Sequence, residues 1–251
     1  MSKVKALVLL SGGLDSMLAA KVLMEQGVEV TGLSFKSYFF STAKAKKVAE
    51  QLGIKLIEVD FSEEHLKIVK NPKYGYGKNI NPCIDCHGLM LKWSRKFLAP
   101  TQPSPASFLA GEGITPQPPL YKGGKNPHNP IYQGGNNGSE YGFIATGEVL
   151  GERPMSQNKD SLKLVEKISG LQGKLLRPLS AKLLDETDLE KQGIINRNKL
   201  LDISGRSRQR QLELVKKYKI KEYASPGGGC LLTDPGFSKK LAEMIKYWPE
   251  C

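Results

Sequence analysis

A chain of 251 residues is long enough for one large domain or two modest ones, with a core of useful size. No stretch approaches the roughly 18 apolar residues of a membrane span. The N-terminal apolar run is too short for a secretory leader, and four cysteines are too few for a disulfide scaffold at this length, so a cytoplasmic protein with reduced thiols is expected. The formal net charge is +12, and between Arg153 and Lys221 stand 17 Lys and Arg against 8 Asp and Glu, a segment of +9 that suits a polyanionic partner such as nucleic acid.

The first hundred residues alternate in pattern. Strand-like runs over Val4–Leu10, Val28–Phe35 and Ile54–Val59 are separated by helical runs over Leu14–Gln26, stopped by Gly27, and Thr42–Leu52, stopped by Gly53. This βαβαβ order predicts a parallel sheet with helices on both faces. A less regular helix is expected over Asp85–Leu98, with Cys83 and Cys86 at or just before its start. Residues 99–140 then break the pattern, with Pro100, Pro103, Pro105, Pro116, Pro118, Pro119, Pro127 and Pro130 among many glycines. Such a segment cannot bury enough apolar surface to offset its ordering entropy, and it is expected to be a disordered insertion. Removing it joins the helix ending near Leu98 to a strand over Gly142–Thr146. Beyond that strand, helices are expected over Asp160–Ile168, Ser204–Tyr218 and Phe237–Tyr247. The fold class is α/β, Rossmann-like, with a nucleotide-binding domain over residues 1–150 and a smaller basic region over residues 151–251.

Ser11-Gly12-Gly13-Leu14-Asp15-Ser16 lies between the first strand and the first helix. Glycines there let backbone N–H groups approach a ligand, and the helix N-terminus favours an anion. Ser11 and Ser16 can donate hydroxyls to phosphate oxygens, and Asp15 fits a Mg²⁺ between itself and the phosphates. The loop lacks the Gly-Lys-Ser/Thr tail of a Walker motif and is not GxGxxG. An ordinary capped turn is the competing reading.

Cys83-Ile84-Asp85-Cys86-His87 matches the c-type haem attachment pattern, but that attachment does not occur in a reducing compartment. The residues otherwise suit half a zinc site, a redox pair or a sulfur carrier. With the distant Cys230, three thiols are available. They suit a 4Fe–4S cluster by ligand softness, persulfide chemistry if a thiol is activated by a helix N-terminus and a nearby cation, or zinc as a Cys₃His set with His87. Cys251 is terminal and read as incidental. Arg206, Arg208 and Arg210 alternate and serve either as a phosphate-tracking arm or as a solvated helix start. His65 and His128 have no apparent partner in the sequence.

Ser11–Ser16 resembles the pyrophosphate loop of the PP-loop ATP pyrophosphatases, the adenine nucleotide alpha hydrolase-like enzymes that split ATP between the α and β phosphates and adenylylate a carbonyl-type oxygen. Cys230 lies in "SPGGGCLLTD", a small-residue turn before an expected apolar strand. Cys86 in "NPCIDCHGLMLKW" and this Cys230 segment resemble the segments carrying the two catalytic cysteines of tRNA 2-thiouridylases. "FIATGEVLGERPMSQNKDSL" is similar to the segment in which a Thr-Gly pair, here Thr146 and Gly147, contacts ATP. The extra Cys83 departs from that pattern and resembles the iron–sulfur subgroup of thiolating enzymes. The resemblance covers nearly the whole chain outside 99–140. It implies ATP-dependent tRNA thiolation, with ATP and Mg²⁺ on Ser11, Gly12, Gly13, Asp15, Ser16, Thr146 and Gly147. Cys86, Cys230 and Asp15 would be catalytic, and Cys83, Cys86 and Cys230 would hold a 4Fe–4S cluster, the alternatives being persulfide chemistry without a cluster or Zn²⁺. The partners implied are tRNA and a sulfur donor, protein or free sulfide. A homodimer is compatible with this reading and a membrane is not. Two rivals are a PP-loop enzyme acting on a small metabolite and a non-catalytic, metal-stabilised RNA-binding module.

Overall fold

The computed structural model describes residues 4–98, 141–224 and 230–247. Five strands form one sheet: β1 (Lys5–Leu9), β2 (Glu29–Lys36), β3 (Leu56–Asp60), β4 (Phe143–Ala145) and β5 (Leu175–Leu176). Their order is β3-β2-β1-β4-β5 and every pairing is parallel. The sheet is laid down outward from β1 in one direction as far as β3. The chain then crosses to the other side of β1 to make β4 and β5. The order therefore reverses between β1 and β4, which is where open α/β sheets bind ligands at their carboxyl ends.

Both faces of the sheet are covered, so its strands read as continuous apolar runs. Successive residues of β1 point to opposite faces. Ala6 and Val8 join a core with α1 (Leu14–Met24) and α2 (Ala43–Leu52), whereas Leu7 joins one with α4 (Cys83–Ser94) and α5 (Lys159–Ser169). Gly88 lies where α4 meets α5, and a Cβ there would come within 2.5 Å of Ile168 Cδ1. Residues on both sides of the expected boundary at 150 share the first core, from Ala6 and Leu18 to Leu176, Leu200 and Ile220. Leu98 and Tyr141 are joined by a parallel bridge, so the elements flanking the expected insertion are neighbours. The insertion itself, His128 and Cys251 lie outside the described residues.

Three expectations are corrected. The helix expected from Ser204 begins at Gln209 as α7 (Gln209–Lys217), because Ser204 bridges Leu150 and Gly205 takes a left-handed φ of +78°. The apolar strand expected after Cys230 is a 3-10 turn over Leu231–Thr233 followed by α8 (Pro235–Tyr247). There the Asp234 carboxylate accepts from Phe237 N at 2.7 Å and Pro235 stands at the first helical position, where its missing N–H costs nothing. Two helices were not expected, α3 (Ser62–Lys70) and the single turn α6 (Asp188–Lys191). α3 starts one residue after β3 because Asp60 accepts from both Ser62 N and Ser62 Oγ.

A third apolar cluster docks α8. Phe39, Val69, Leu232 and Leu241 are buried together, with Ile80, Cys230 and Phe237 packed against them. Beside it His65 is fully buried, stacked on Phe61 with 5.1 Å between ring centroids and edged by Phe39 and Phe40.

Candidate active site

The Ser11–Ser16 loop leaves the carboxyl end of β1. Gly12 has φ +79°, and a Cβ there would lie 2.3 Å from Lys44 Cβ and 2.7 Å from the Lys44 carbonyl carbon. Only glycine permits that conformation together with so close an approach to α2. No side chain caps α1, whose N-cap is Gly13, so its first N–H groups are left to an anion. The hydroxyls order the loop internally: Ser16 Oγ donates to Gly13 O at 2.8 Å, and Gly13 N donates to Ser11 Oγ at 3.3 Å. Ala224, six residues before Cys230, bridges Gly13.

Across the switch point, Thr146 and Gly147 follow β4. A Cβ on Gly147 would lie 2.4 Å from Ser16 N and 2.5 Å from the Asp15 carbonyl carbon, so this glycine lets the end of β4 close against the start of α1. The seven residues expected around the nucleotide thus lie together at the carboxyl ends of β1 and β4.

Glu148 comes next and is buried. Its Oε2 accepts from Arg177 Nε at 2.9 Å and Thr146 Oγ1 at 3.0 Å, and its Oε1 meets His87 Nδ1 at 2.9 Å. Arg177, also buried, donates further to Glu166 and to Leu162 O. Burial opposes ionisation of Glu148, but the Arg177 guanidinium and His87 outweigh it and bring the carboxyl down to about 2. An ionised carboxylate can only accept, so His87 Nδ1 donates to it. This contact ties the start of α4 to the residues that follow β4.

Cys83 is the first residue of α4 and Cys86 lies in its first turn. Asp85 pins the preceding loop by accepting from Lys73 N and Tyr74 N, and Gly77 runs against the Cys83 thiol, its would-be Cβ 3.5 Å from Sγ. Asn79 Nδ2 donates to Thr233 O at 2.7 Å, which joins this loop to the turn that follows Cys230. The thiols sense one another. Burial, then Cys230, Cys83 and Asp85, push Cys86 strongly up. Burial raises Cys83 against an opposing Arg153, and burial and Cys83 raise Cys230. Burial thus opposes the activation that persulfide chemistry would ask of the helix start, where a helix end contributes about 1 kcal/mol.

Among the described residues, no three His, Cys, Asp or Glu side chains are gathered as a metal-holding group. The three thiols are the soft donors an iron–sulfur cluster needs. Asp15 meets a cation of the chain's own: Arg208 Nη2 lies 3.3 Å from Asp15 Oδ2 and 2.8 Å from Glu152 Oε1, while Gln211 Nε2 donates to Asp15 Oδ1 at 3.4 Å. Two carboxylates sharing one cation are the hard oxygen donors Mg²⁺ takes, so these residues fit that ion.

Sequence reasoning passed over Glu148, Arg177, Glu152 and Asn79. The signals for two of them were present: Glu148 directly follows the Thr-Gly pair, and Arg177 is a lone charge in the apolar run Leu175-Leu176-Arg177-Pro178-Leu179.

The all-parallel sheet and its switch point between β1 and β4 define an open, Rossmann-like α/β fold. Residues 4–97 match the family model described as tRNA methyl transferase HUP domain. The chain is 37% identical over 110 residues to the tRNA-specific 2-thiouridylase MnmA of Treponema denticola, covering 37% of this chain and 30% of that protein. It is 40% identical over 111 residues to the protein of the same name from Sulfurimonas denitrificans, covering 39% and 32%. The matches thus span about a third of the length of these curated relatives. Among solved structures, a 4-thiouridine synthetase in complex with RNA and ATP aligns with a TM-score of 0.46 at 17% identity, over 98% of this chain and 51% of that one. A predicted subunit of tRNA methyltransferase from Methanocaldococcus jannaschii aligns with a TM-score of 0.46 at 13% identity, over 85% and 76%. Among the described residues, no helix is long and apolar enough to cross a membrane.

Proposed function

We propose that this chain is an ATP-dependent tRNA thiolating enzyme that converts a uridine carbonyl to a thiocarbonyl. The observation that carries the reading is the His87–Glu148 contact, which holds the first turn of the cysteine helix against the strand end that closes on the phosphate loop. Nucleotide and sulfur chemistry then share one crevice.

The N–H groups at the start of α1 and the Ser11–Ser16 loop hold the polyphosphate, and Asp15 and Glu152 would hold a Mg²⁺ that supplies neutralising charge. The uridine oxygen bonds to the α-phosphorus as the bond to pyrophosphate breaks. The ring proton leaves to a base, a role for which His87, oriented through Nδ1 by Glu148, is the candidate. The adenylylated oxygen is then a leaving group. Cys230, half-buried, carries a sulfane sulfur taken from a donor persulfide, and this sulfur attacks the ring carbon and displaces AMP. Cys86 attacks the Cys230 sulfur, which forms a disulfide and frees the thiouridine. A thiol reductant restores the pair. The +9 segment supplies the charge for tRNA, and the target base leaves its stack to reach the crevice.

The test is incubation with transcribed tRNA, ATP, Mg²⁺ and a persulfide donor, with thiouridine read by mass spectrometry. Cys86→Ala and Cys230→Ala are expected to abolish product, and absence of thiouridine with every donor and tRNA would overturn the reading. Retained ATP turnover with a carboxylate metabolite would instead favour the small-molecule rival. A second reading of sulfur delivery rests on the coupling of Cys83 to both other thiols: a 4Fe–4S cluster on Cys83, Cys86 and Cys230. Iron and sulfide counts after anaerobic purification separate the two, because the persulfide route predicts an active, iron-free protein.

A further inference from the structure

The phosphate loop carries its own counter-cation. Arg208, the residue before α7, reaches back 193 positions in sequence to Asp15. A single nitrogen, Nη2, serves both Asp15 and Glu152. Among the described residues, Nε and Nη1 donate to nothing, and the side chain is partly exposed at 23%. Half of a planar fork that matches phosphate oxygens in pairs is therefore unused at the edge of the loop.

The acids are also under-neutralised. Two carboxylates face one guanidinium. Gln211 is fully buried and donates its amide to Asp15, yet its Oε1 has no hydrogen-bond partner among the described residues. A buried acceptor left unpaired costs on the order of 1–3 kcal/mol, and here it lies beside the acids. As it stands, the group is net negative where a polyphosphate has to sit.

We propose that Arg208 changes partners when nucleotide binds: its unused Nε–Nη edge takes polyphosphate oxygens, Nη2 releases Asp15, and a divalent cation replaces the guanidinium between Asp15 and Glu152. The exchange keeps every charge paired throughout. Arg208 in the free protein stands in for the metal, and it prevents the two acids from repelling the incoming phosphates. The inference rests on reading the loop as an ATP site, and it adds a phosphate ligand to that site.

The test uses the full chain with Arg208→Gln and Arg208→Lys. Binding of a fluorescent ATP analogue is measured with and without Mg²⁺, and binding of Mn²⁺ alone is measured by electron paramagnetic resonance. Arg208→Gln is expected to weaken ATP by about 10- to 100-fold, the size of one lost charge-assisted contact. The same variant is expected to bind Mn²⁺ alone about 10-fold more tightly than the parent, because the acids have lost their internal cation. Arg208→Lys is expected to keep Mn²⁺ binding near the parental level, since a charge remains, and to recover ATP binding only in part. A residue that is merely a brace gives a different result: a lower melting temperature, unchanged ATP affinity wherever the protein is folded, and no gain in Mn²⁺ affinity. That result would overturn the proposal and leave the ATP reading intact. A parent chain that binds no ATP would overturn both.

Discussion

Replacing Glu148 with Gln tests the buried charge cluster that links the two halves of the crevice. The substitution keeps the shape. Gln Oε1 can still accept from Arg177 Nε and Thr146 Oγ1, and its amide can donate to His87 if the ring moves its proton from Nδ1 to Nε2. What is lost is the charge facing a buried guanidinium. Removing one member of a buried pair costs about 3–5 kcal/mol, but Glu166 remains 3.1 Å from Arg177 Nη1, so about 2–3 kcal/mol is expected. The parent also carries a pH signature. Glu148 ionises at about 2 in the fold against an ordinary 4.5. Its contribution is therefore complete above pH 4.5 and is lost as pH falls toward 2, and at 1.36 kcal/mol per unit it amounts to about 3 kcal/mol. Urea unfolding of parent and Glu148→Gln at pH 7 and at several values below 4.5 reads both effects, and the two curves are expected to converge in acid. Because the tautomer of His87 is also reversed, thiouridine formation should fall more than ATP binding does. A variant within 0.5 kcal/mol of the parent at pH 7, with the same acid slope, would refute the assignment of Glu148 as the charge holding Arg177.

Gly147→Ala puts a methyl about 2.4 Å from Ser16 N, so the end of β4 and the start of α1 must separate; at least a 10-fold loss of ATP affinity is expected by calorimetry. His65→Phe removes a buried ring whose two nitrogens have no partner among the described residues. Burial lowers His65 to about 4 from 6.5, so the unfolded chain takes up its proton first and the parent loses stability as pH falls from 6.5 toward 4. The variant should lack that loss of up to about 3 kcal/mol, as read by denaturant unfolding at pH 7 and 4.5. Since burial raises all three thiols above 9, site-resolved alkylation at pH 7.5 should be slower at Cys83, Cys86 and Cys230 in the folded chain than in urea. Equal rates would show the thiols to be activated after all.

The fold was legible where local pattern and tertiary role agree. β1, α1, β2 and α2 combine apolar runs with glycine stops, and each lies within about two residues of its expected place. β5 was not legible because two residues carry no period, and α3 was hidden because its buried face, Ser62, His65 and Val69, is hardly apolar. In the site, the glycines and the thiols are visible because their chemistry is local to a motif. The parts that orient them are not. Glu148 and Arg177 are 29 positions apart, Asp15 and Arg208 193, and Asn79 and Thr233 154. Each is a single side chain whose meaning lies in a partner that only the strand order brings near. Arg208 shows the limit best, since the alternation of Arg206, Arg208 and Arg210 suggests one shared role. In the fold Arg210 pairs with Asp202 at the surface, and Arg208 turns inward to the phosphate loop.

The raised thiols also bear on the order of events. Cys86 occupies the position where a helix end would favour a thiolate, yet the residues around it exclude the water that a thiolate needs. A protonated, buried thiol is a poor nucleophile and a poor target for oxidants. On the proposed function, Cys86 becomes reactive only when the substrate or the sulfur donor brings a base or a neighbouring charge to it.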